Sequence, residues 1–311
     1  MSEALIGACW VHMTAVMILF GSSLFPFYAG SGTLDRTLPA FPAGLRPILL
    51  AASVLALVSA LLWLALEAGE MGDDPADAVN PDTLLLVLTA TGFGAVWQFH
   101  LALCLALVAV VARSPPARRP GLVLLLAALL LASQAWVGHG VMATGAEGTL
   151  RLANQTIHLI AAAAWLGGLV PLARVLDQAR RDPTRSALAI RVLRSFSAMA
   201  LGAVALLVLS GLVNGWFLVG SPEALVATPY GQVLILKLVL FLGLLALAAV
   251  NRLSLLPRLT AAADPGSTLT ALFRTVLAEQ GLGLALLGVA SVLGTLAPAI
   301  DGLTHQGGFA P

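Results

Sequence analysis

The chain has 311 residues, of which 59% are hydrophobic and 10% are charged, and its formal net charge is +1. Soluble domains carry about 25% charged residues, so this composition excludes a soluble globular protein and indicates an integral membrane protein. The basic residues follow the distribution found in membrane proteins, and we therefore expect no nucleic-acid partner.

Eight apolar runs are long enough to cross a bilayer, which takes roughly 20 residues in a helix. None of them shows the period-two alternation that a membrane β-barrel requires. The sequence therefore predicts an all-α polytopic membrane bundle, with spans near residues 4–28, 45–66, 83–111, 121–141, 152–172, 195–219, 230–252 and 273–297.

The basic residues also predict the orientation of the bundle, because arginine and lysine near span ends stay on the cytoplasmic side. With the N-terminus outside, 14 of the 16 basic residues fall in cytoplasmic loops, and only Arg151 and Lys237 do not. We therefore predict eight transmembrane helices with both termini in the periplasm. The first run has no positively charged start and no cleavage site, which favours a spanning helix over a removable signal peptide.

The first span carries a group of soft ligands on one side. At about 100° per residue, Cys9, His12, Met13 and Met17 fall within roughly 140° of each other. Thioether and imidazole groups suit copper, particularly Cu(I), so we predict His12, Met13 and Met17 as metal ligands. The alternatives are a histidine that only bonds a neighbouring helix and methionines that only fill space.

The third span offers a second, weaker set of candidates. Trp97, His100 and Cys104 fall within about 60° of one another on a helix. Because the predicted span begins at residue 83, His100 and Cys104 are expected deeper than His12 and form a possible inner relay for an ion. The alternative for His100 is a packing histidine with a satisfied hydrogen bond.

The fourth apolar run ends in the sequence WVGHGVM, residues 136–142, and the fifth contains NQTIHLIAAAAWLGGL. A polar side chain inside a bilayer is costly and usually faces the bundle interior or a pathway. We predict that His139 and His158 converge with His12 near the periplasmic side, and that Met142 joins them as a soft ligand.

Three further residues are predicted to support this site without binding the metal. Asn154 lies four residues before His158 on one helical face and is expected to orient its ring, as supporting partners orient metal ligands. Trp165 is predicted as a pocket wall or core residue, and Asn214 as a hydrogen-bonding neighbour of the site.

The second half of the sequence resembles the bacterial copper resistance protein D (CopD) family. The resemblance rests on residues 130–300, on the fourth-helix segment SQAWVGHGVM and on the segments HLIAAAAWLGGLVPLARV, RSFSAMALGAVALLVLSGLVNGW and TPYGQVLILKLVLFLGLLALAAVNRLSLLPRL. It carries family histidines over to His139 and His158, and less directly to His12. Where the resemblance leads us to expect a basic residue in the third helix, this chain has His100.

The resemblance implies a single CopD-like transmembrane domain over residues 1–311, with N-terminal helices in 4–141 and the CopD-like core in 121–300. It implies an inner-membrane protein of copper homeostasis and resistance whose partners are copper ion, the lipid bilayer and a small periplasmic copper-binding protein of the CopC type.

We therefore predict a copper transport or import protein, not an enzyme, that takes copper at a periplasmic His/Met site. No nucleotide-binding or hydrolase motif occurs in a usable setting. Two alternatives stay open at this point. One is a haem b protein in which two histidines are axial ligands, and the other is a copper-docking scaffold that does not transport.

Overall fold

The structure is a computed structural model that describes residues 3–29, 40–72, 74–113, 118–137, 145–261 and 265–300. In the range 40–72, side chains are described from residue 44 onward. The described residues are almost entirely helical and contain no strand. In a bilayer this is expected, because a helix satisfies its own backbone hydrogen bonds.

The principal helices follow one another along the chain with short connections. They are α1 Glu3–Ala29, α2 Ala40–Met71, α3 Pro81–Ala90, α4 Gly92–Arg113, α5 Pro120–Ser133, α6 Gly145–Ala162, α7 Gly168–Arg181, α8 Ser186–Leu218, α9 Pro222–Ala227, α10 Pro229–Val250, α11 Leu256–Ala261 and α12 Gly266–Leu293. A π-helical turn, Ala163–Gly167, joins α6 to α7, and a second, Asn251–Leu255, joins α10 to α11.

Seven helices of the described chain are long and apolar enough to cross a membrane. The apolar helix Pro120–Trp136, which corresponds to the predicted fourth span, is shorter, and that prediction continues past residue 137, where this described range ends. The all-α polytopic bundle is confirmed. The eighth span and the periplasmic position of both termini stay predictions.

The third predicted span is wrong in one respect, because it is not one continuous helix. The chain breaks at Thr91, whose backbone is extended (φ −113°, ψ 154°). The Thr91 hydroxyl donates to the Val87 carbonyl at 2.6 Å and accepts from the Gly94 amide at 2.9 Å. A Cβ at Gly94 would lie 2.1 Å from the Val87 oxygen, so the turn requires glycine, and α4 begins at Gly92.

Helix α1 lies at the centre and connects the two halves of the bundle. It packs against α2 and α5 on one side and against α7, α12 and the first π-helical turn on the other. At the crossing the backbones touch, since a Cβ on Gly167 would lie 1.9 Å from the Met17 carbonyl oxygen. Small residues allow this close approach between membrane helices.

Two buried apolar clusters flank this crossing. One joins α1, α2, α4 and α5, and the other joins α7, α8, α10 and α12. Met17 packs in the first cluster with Leu159, whereas Phe25 packs in the second with Leu172. Later residues of α1 thus meet later residues of the α6–α7 segment, and the two run parallel.

Candidate metal site

The structure brings two histidines together in the first half of the bundle. The Nε2 atoms of His12, on α1, and His100, on α4, are 2.8 Å apart, and both side chains are fully buried. Their ring centroids are 4.9 Å apart and the ring planes are inclined at 55°. Two imidazoles thus point nitrogen to nitrogen inside a membrane protein.

The other nitrogen of His12 faces α2. His12 Nδ1 lies 3.1 Å from the Ala56 carbonyl oxygen and 3.0 Å from the Ser59 hydroxyl. Because a carbonyl only accepts hydrogen bonds, this contact assigns the ring proton to Nδ1. The Nε2 atom of His12 therefore presents a lone pair.

His100 is held in the same way by α5. Its Nδ1 lies 2.7 Å from the Ser133 hydroxyl, and that hydroxyl also lies 2.7 Å from the Leu130 carbonyl oxygen. The Ser133 hydroxyl thus contacts two acceptors, the Leu130 carbonyl and His100 Nδ1. A Ser133 hydroxyl that donates to His100 Nδ1 leaves the His100 proton on Nε2, which then donates to the lone pair of His12 Nε2.

A separation of 2.8 Å between the two Nε2 atoms is that of an N–H···N hydrogen bond, in which one imidazole donates to the other. A metal ion, which lies about 2 Å from each ligating nitrogen, would replace that proton once the two rings move apart. Neutral imidazole is the common metal-binding form of histidine, and hydrogen bonds to the second ring nitrogen fix the orientation of metal-bound histidines. The arrangement therefore has the chemistry of a two-histidine cation site.

Aromatic rings enclose the pair. Trp97 stacks on His100 with centroids 4.7 Å apart and planes within 8°, and Trp63 meets His12 edge-on at 5.8 Å. The Trp97 indole donates to the Ala60 carbonyl at 3.0 Å, which fixes its position. Such a shell excludes water and strengthens electrostatic interactions inside it.

Both cysteines lie about one helical turn from the pair. Cys9 precedes His12 by three residues and Cys104 follows His100 by four, spacings that share a helix face. Both are buried free thiols. Soft sulfur groups are thus available on either side of the imidazoles along the two helices.

The depth predicted for His100 is corrected by the break at Thr91. A span that begins at residue 83 puts His100 deep in the membrane, whereas α4 begins at Gly92, eight residues before it. His12 follows the start of α1, Glu3, by nine residues. The two histidines therefore lie at similar distances from the start of their helices.

His158, the predicted ligand on α6, belongs to another hydrogen-bond network. It is half-buried, and its Nδ1 lies 2.8 Å from the Ser210 hydroxyl on α8. Asn154 donates to the Ser210 carbonyl at 3.0 Å and to Asn214 Oδ1 at 2.8 Å. The side chain that contacts the His158 ring is thus Ser210, and the two asparagines bond each other nearby.

Trp165 and the methionines of α1 lie in packed surroundings. Trp165 is buried in the first π-helical turn and meets Phe241 edge-on at 6.2 Å. The Ser291 hydroxyl of α12 lies 3.8 Å from the Met13 sulfur, and Met17 is buried at the crossing with Gly167.

His139 and Met142 lie outside the described residues. The contacts described for His12 and His158 involve different side chains. No group of three or more His, Cys, Asp and Glu residues that could hold a metal ion occurs in the described part of the chain. The outer site of His12, His139 and His158 stays a prediction.

Sequence reasoning named His12 and His100 but not their pairing, and it did not name Ser59 or Ser133. A serine inside an apolar span was the available signal, because a buried hydroxyl needs a partner. Which serine meets which histidine depends on helix neighbours, and those are not encoded in spacing along one helix.

The fold and the site together define a polytopic helical membrane protein with a buried imidazole pair and nearby thiols. Residues 1–149 match the family described as Copper resistance protein D-like, N-terminal domain, and residues 190–293 match the family described as Copper resistance protein D. No solved structure matches the chain.

Three relatives are similar to this chain. Copper resistance protein D of Pseudomonas syringae pv. tomato is 31% identical over 93% of the chain and 94% of its own length. Inner membrane protein YebZ of Escherichia coli is 31% identical over 93% and 96%. Copper transport protein CutJ of Bacillus subtilis is 35% identical over 54% of the chain and 29% of its own length. The chain belongs to the copper resistance protein D family.

Proposed function

We propose that this protein moves copper across the bacterial inner membrane, from the periplasmic side inward, and that the His12–His100 pair holds the ion within the bundle. The single observation that carries the proposal is the 2.8 Å separation of two buried Nε2 atoms whose Nδ1 atoms are already bonded. Membership of the copper resistance protein D family selects copper among the cations that imidazole binds.

The ligand chemistry around the pair supports copper. Imidazole binds several transition metals, whereas thiol and thioether groups favour Cu(I). Cys9 and Cys104 lie about a turn away on the two helices that carry the histidines, and Met13 follows His12 directly. A transported ion must bind strongly enough to enter a site and weakly enough to leave it. Sites with only a few ligands each meet this condition.

The outer His/Met site belongs to this proposal as the place where copper is loaded. It comprises His12, His139 and His158 with Met13, Met17 and Met142, supported by Asn154, Trp165 and Asn214. The parallel course of α1 and α6 supports this site, because it puts His12 and His158 toward the same end of the bundle. His158 Nε2 also supports it, because the contact with Ser210 occupies only Nδ1. A small periplasmic copper-binding protein of the CopC type would deliver the ion there.

The direction of movement is supported by the predicted topology, in which His12, His139 and His158 lie toward the periplasm. The relatives are called a copper resistance protein and a copper transport protein. The ion itself is the cargo of this activity, and we propose no catalytic residue.

The haem alternative gains no support from the pair. An iron porphyrin needs α1 and α4 to make room for the whole macrocycle, whereas a single copper ion needs only the two Nε2 atoms, 2.8 Å apart in this structure, to open around it. Absence of a Soret band from protein purified with its metal would agree with the copper proposal, and a stoichiometric Soret band would contradict it.

Copper uptake into proteoliposomes tests the proposal directly. His12→Ala and His100→Ala are each expected to reduce the initial rate of Cu(I) uptake at least tenfold, because one imidazole is left without its partner. Thr14→Ala is the control, since Thr14 lies two residues from His12 but bonds only its own helix, at the Trp10 carbonyl. Wild-type uptake by His100→Ala would refute the paired site.

The same assay separates the remaining possibilities. Loss of uptake in His139→Ala and His158→Ala with Cu(I) still bound at the pair would support the outer loading site. Copper binding by wild-type protein with no uptake under any gradient would instead identify a docking scaffold.

A further inference from the structure

The second half of the bundle repeats the first around the histidines of α1 and α6. His12 is followed nine residues later by Gly21, and His158 is followed nine residues later by Gly167. These two glycines meet each other, since a Cβ on Gly21 would lie 2.4 Å from the Gly167 backbone. Equivalent positions of two parallel segments thus meet where the halves join.

The partner of each histidine is also repeated. Ser59 on α2 lies 3.0 Å from His12 Nδ1, and Ser210 on α8 lies 2.8 Å from His158 Nδ1. Each serine hydroxyl donates at 2.6 Å to the carbonyl four residues earlier in its own helix. Helix α8 is therefore placed relative to α6 as α2 is placed relative to α1, with a serine at Nδ1 of the histidine in both cases.

A third correspondence is the break before α4 and α10. A short helix that begins with proline precedes each, and an extended threonine, Thr91 or Thr228, ends it. Each threonine hydroxyl accepts from the amide three residues on, that of Gly94 at 2.9 Å or Gly231 at 3.1 Å. A Cβ on either glycine would lie 2.1 Å from a carbonyl of the preceding short helix.

This correspondence aligns α10 with α4 residue by residue. His100 is nine residues after Thr91, and Lys237 is nine residues after Thr228. Lys237 thus occupies in the second half the position of the second histidine.

Lys237 is half-buried within α10, and among the described residues it makes no ion pair. Its ammonium has three hydrogen-bond donors and no acceptor. An ammonium therefore cannot bind a metal ion as an imidazole does, and the second unit has one ligand fewer than the first. Helices α8 and α10 also pack less closely than α2 and α4, which suits the longer lysine side chain.

We propose that the chain is a duplicated four-helix metal-binding unit, in which α6–α7, α8, α10 and α12 repeat α1, α2, α4 and α5, and that Lys237 occupies in the second unit the position at which His100 supplies the second imidazole of the first, so that the second unit lacks one metal ligand. Parallel repeats of this kind are common in transporters. The inference rests on the proposed function in that the first unit holds copper. It predicts one copper ion per chain at these two positions.

The test is a Cu(I) titration of the purified full chain against a chromophoric chelator. Lys237→His is expected to add one bound copper ion per chain, and the double variant Lys237→His with His158→Ala is expected to lose that ion again. Lys237→Leu is the matched control, because it removes the ammonium without supplying a ligand, and it should add none. A folded Lys237→His protein with no added copper would overturn the proposal.

The reciprocal variant keeps the test decisive if Lys237→His fails to fold. His100→Lys should lose the first copper ion and, because an ammonium donates a hydrogen bond to His12 Nε2, should be thermally more stable without metal than His100→Leu. Copper retained by His100→Lys, or no difference in stability between the two variants, would count against the equivalence of positions 100 and 237.

The outcomes separate this inference from the proposed function. If wild-type protein binds one copper ion and Lys237→His adds none, the duplicated site is wrong and the copper pair stands. If wild-type protein binds none but Lys237→His gains one that depends on His158, the pair fails and the duplication stands.

Discussion

The contact between Gly21 and Gly167 gives a prediction whose size follows from the structure. A Cβ on Gly167 would lie 1.9 Å from the Met17 carbonyl oxygen, about 1.5 Å short of ordinary contact at 3.4 Å. The obstructing atom is backbone, so α1 and the first π-helical turn must move apart. Overpacking of this kind costs about 1–3 kcal/mol, and we expect Gly167→Ala to destabilise the bundle by that order.

Thermal unfolding in detergent, followed by intrinsic fluorescence, measures the effect. Gly202→Ala is the control, because a Cβ there has no neighbour within 4 Å. Alanine gains about 1 kcal/mol over glycine in a helix interior, so the control should be as stable as wild type or more stable. If Gly167→Ala unfolds at the same temperature as Gly202→Ala, the helices do not meet backbone to backbone and the contact between Gly21 and Gly167 that joins the halves is wrong.

Three further changes test other parts of the structure. Ser133→Ala removes the group that orients His100 and should weaken Cu(I) binding by about 10- to 100-fold in the chelator titration, and unchanged affinity would contradict the role of Ser133 in orienting His100. Thr228→Val removes the cap of α10 and should cost about 1 kcal/mol in thermal unfolding, whereas no loss would argue against the break. Asn251→Leu leaves the buried Glu279 carboxyl without its amide donor and should cost about 1–3 kcal/mol, with Glu279→Gln as a milder comparison.

The sequence was sufficient for the class of fold because apolar length is a strong signal in a membrane protein. It failed at Thr91 because apolar residues continue on both sides of Thr91 within 83–111, and hydropathy does not register a break that a hydroxyl caps. The cue was present in the spacing of Thr91 and Gly94, which recurs at Thr228 and Gly231. A capped threonine followed three residues later by glycine marks both breaks.

The wrong start of the third predicted span also made the prediction of the site wrong. Counting from residue 83 separated His100 in depth from His12, and the two were assigned to different steps of a path. Counting from Gly92 places them at similar positions, and the structure pairs them. Ser59 and Ser133 could not be matched to their histidines from sequence, because the neighbours of each helix are set by packing of the whole bundle.

The two halves of the bundle solve one electrostatic problem in different ways. In each, a serine bonds Nδ1 of a histidine inside the membrane, where an unsatisfied polar group is costly. In the first half the second polar group is another imidazole, so the proton shared between the two Nε2 atoms can be exchanged for a metal ion. In the second half the equivalent position carries Lys237, whose ammonium supplies no metal ligand. One half can then bind the ion, and the other holds α1 in position through the contact at Gly167.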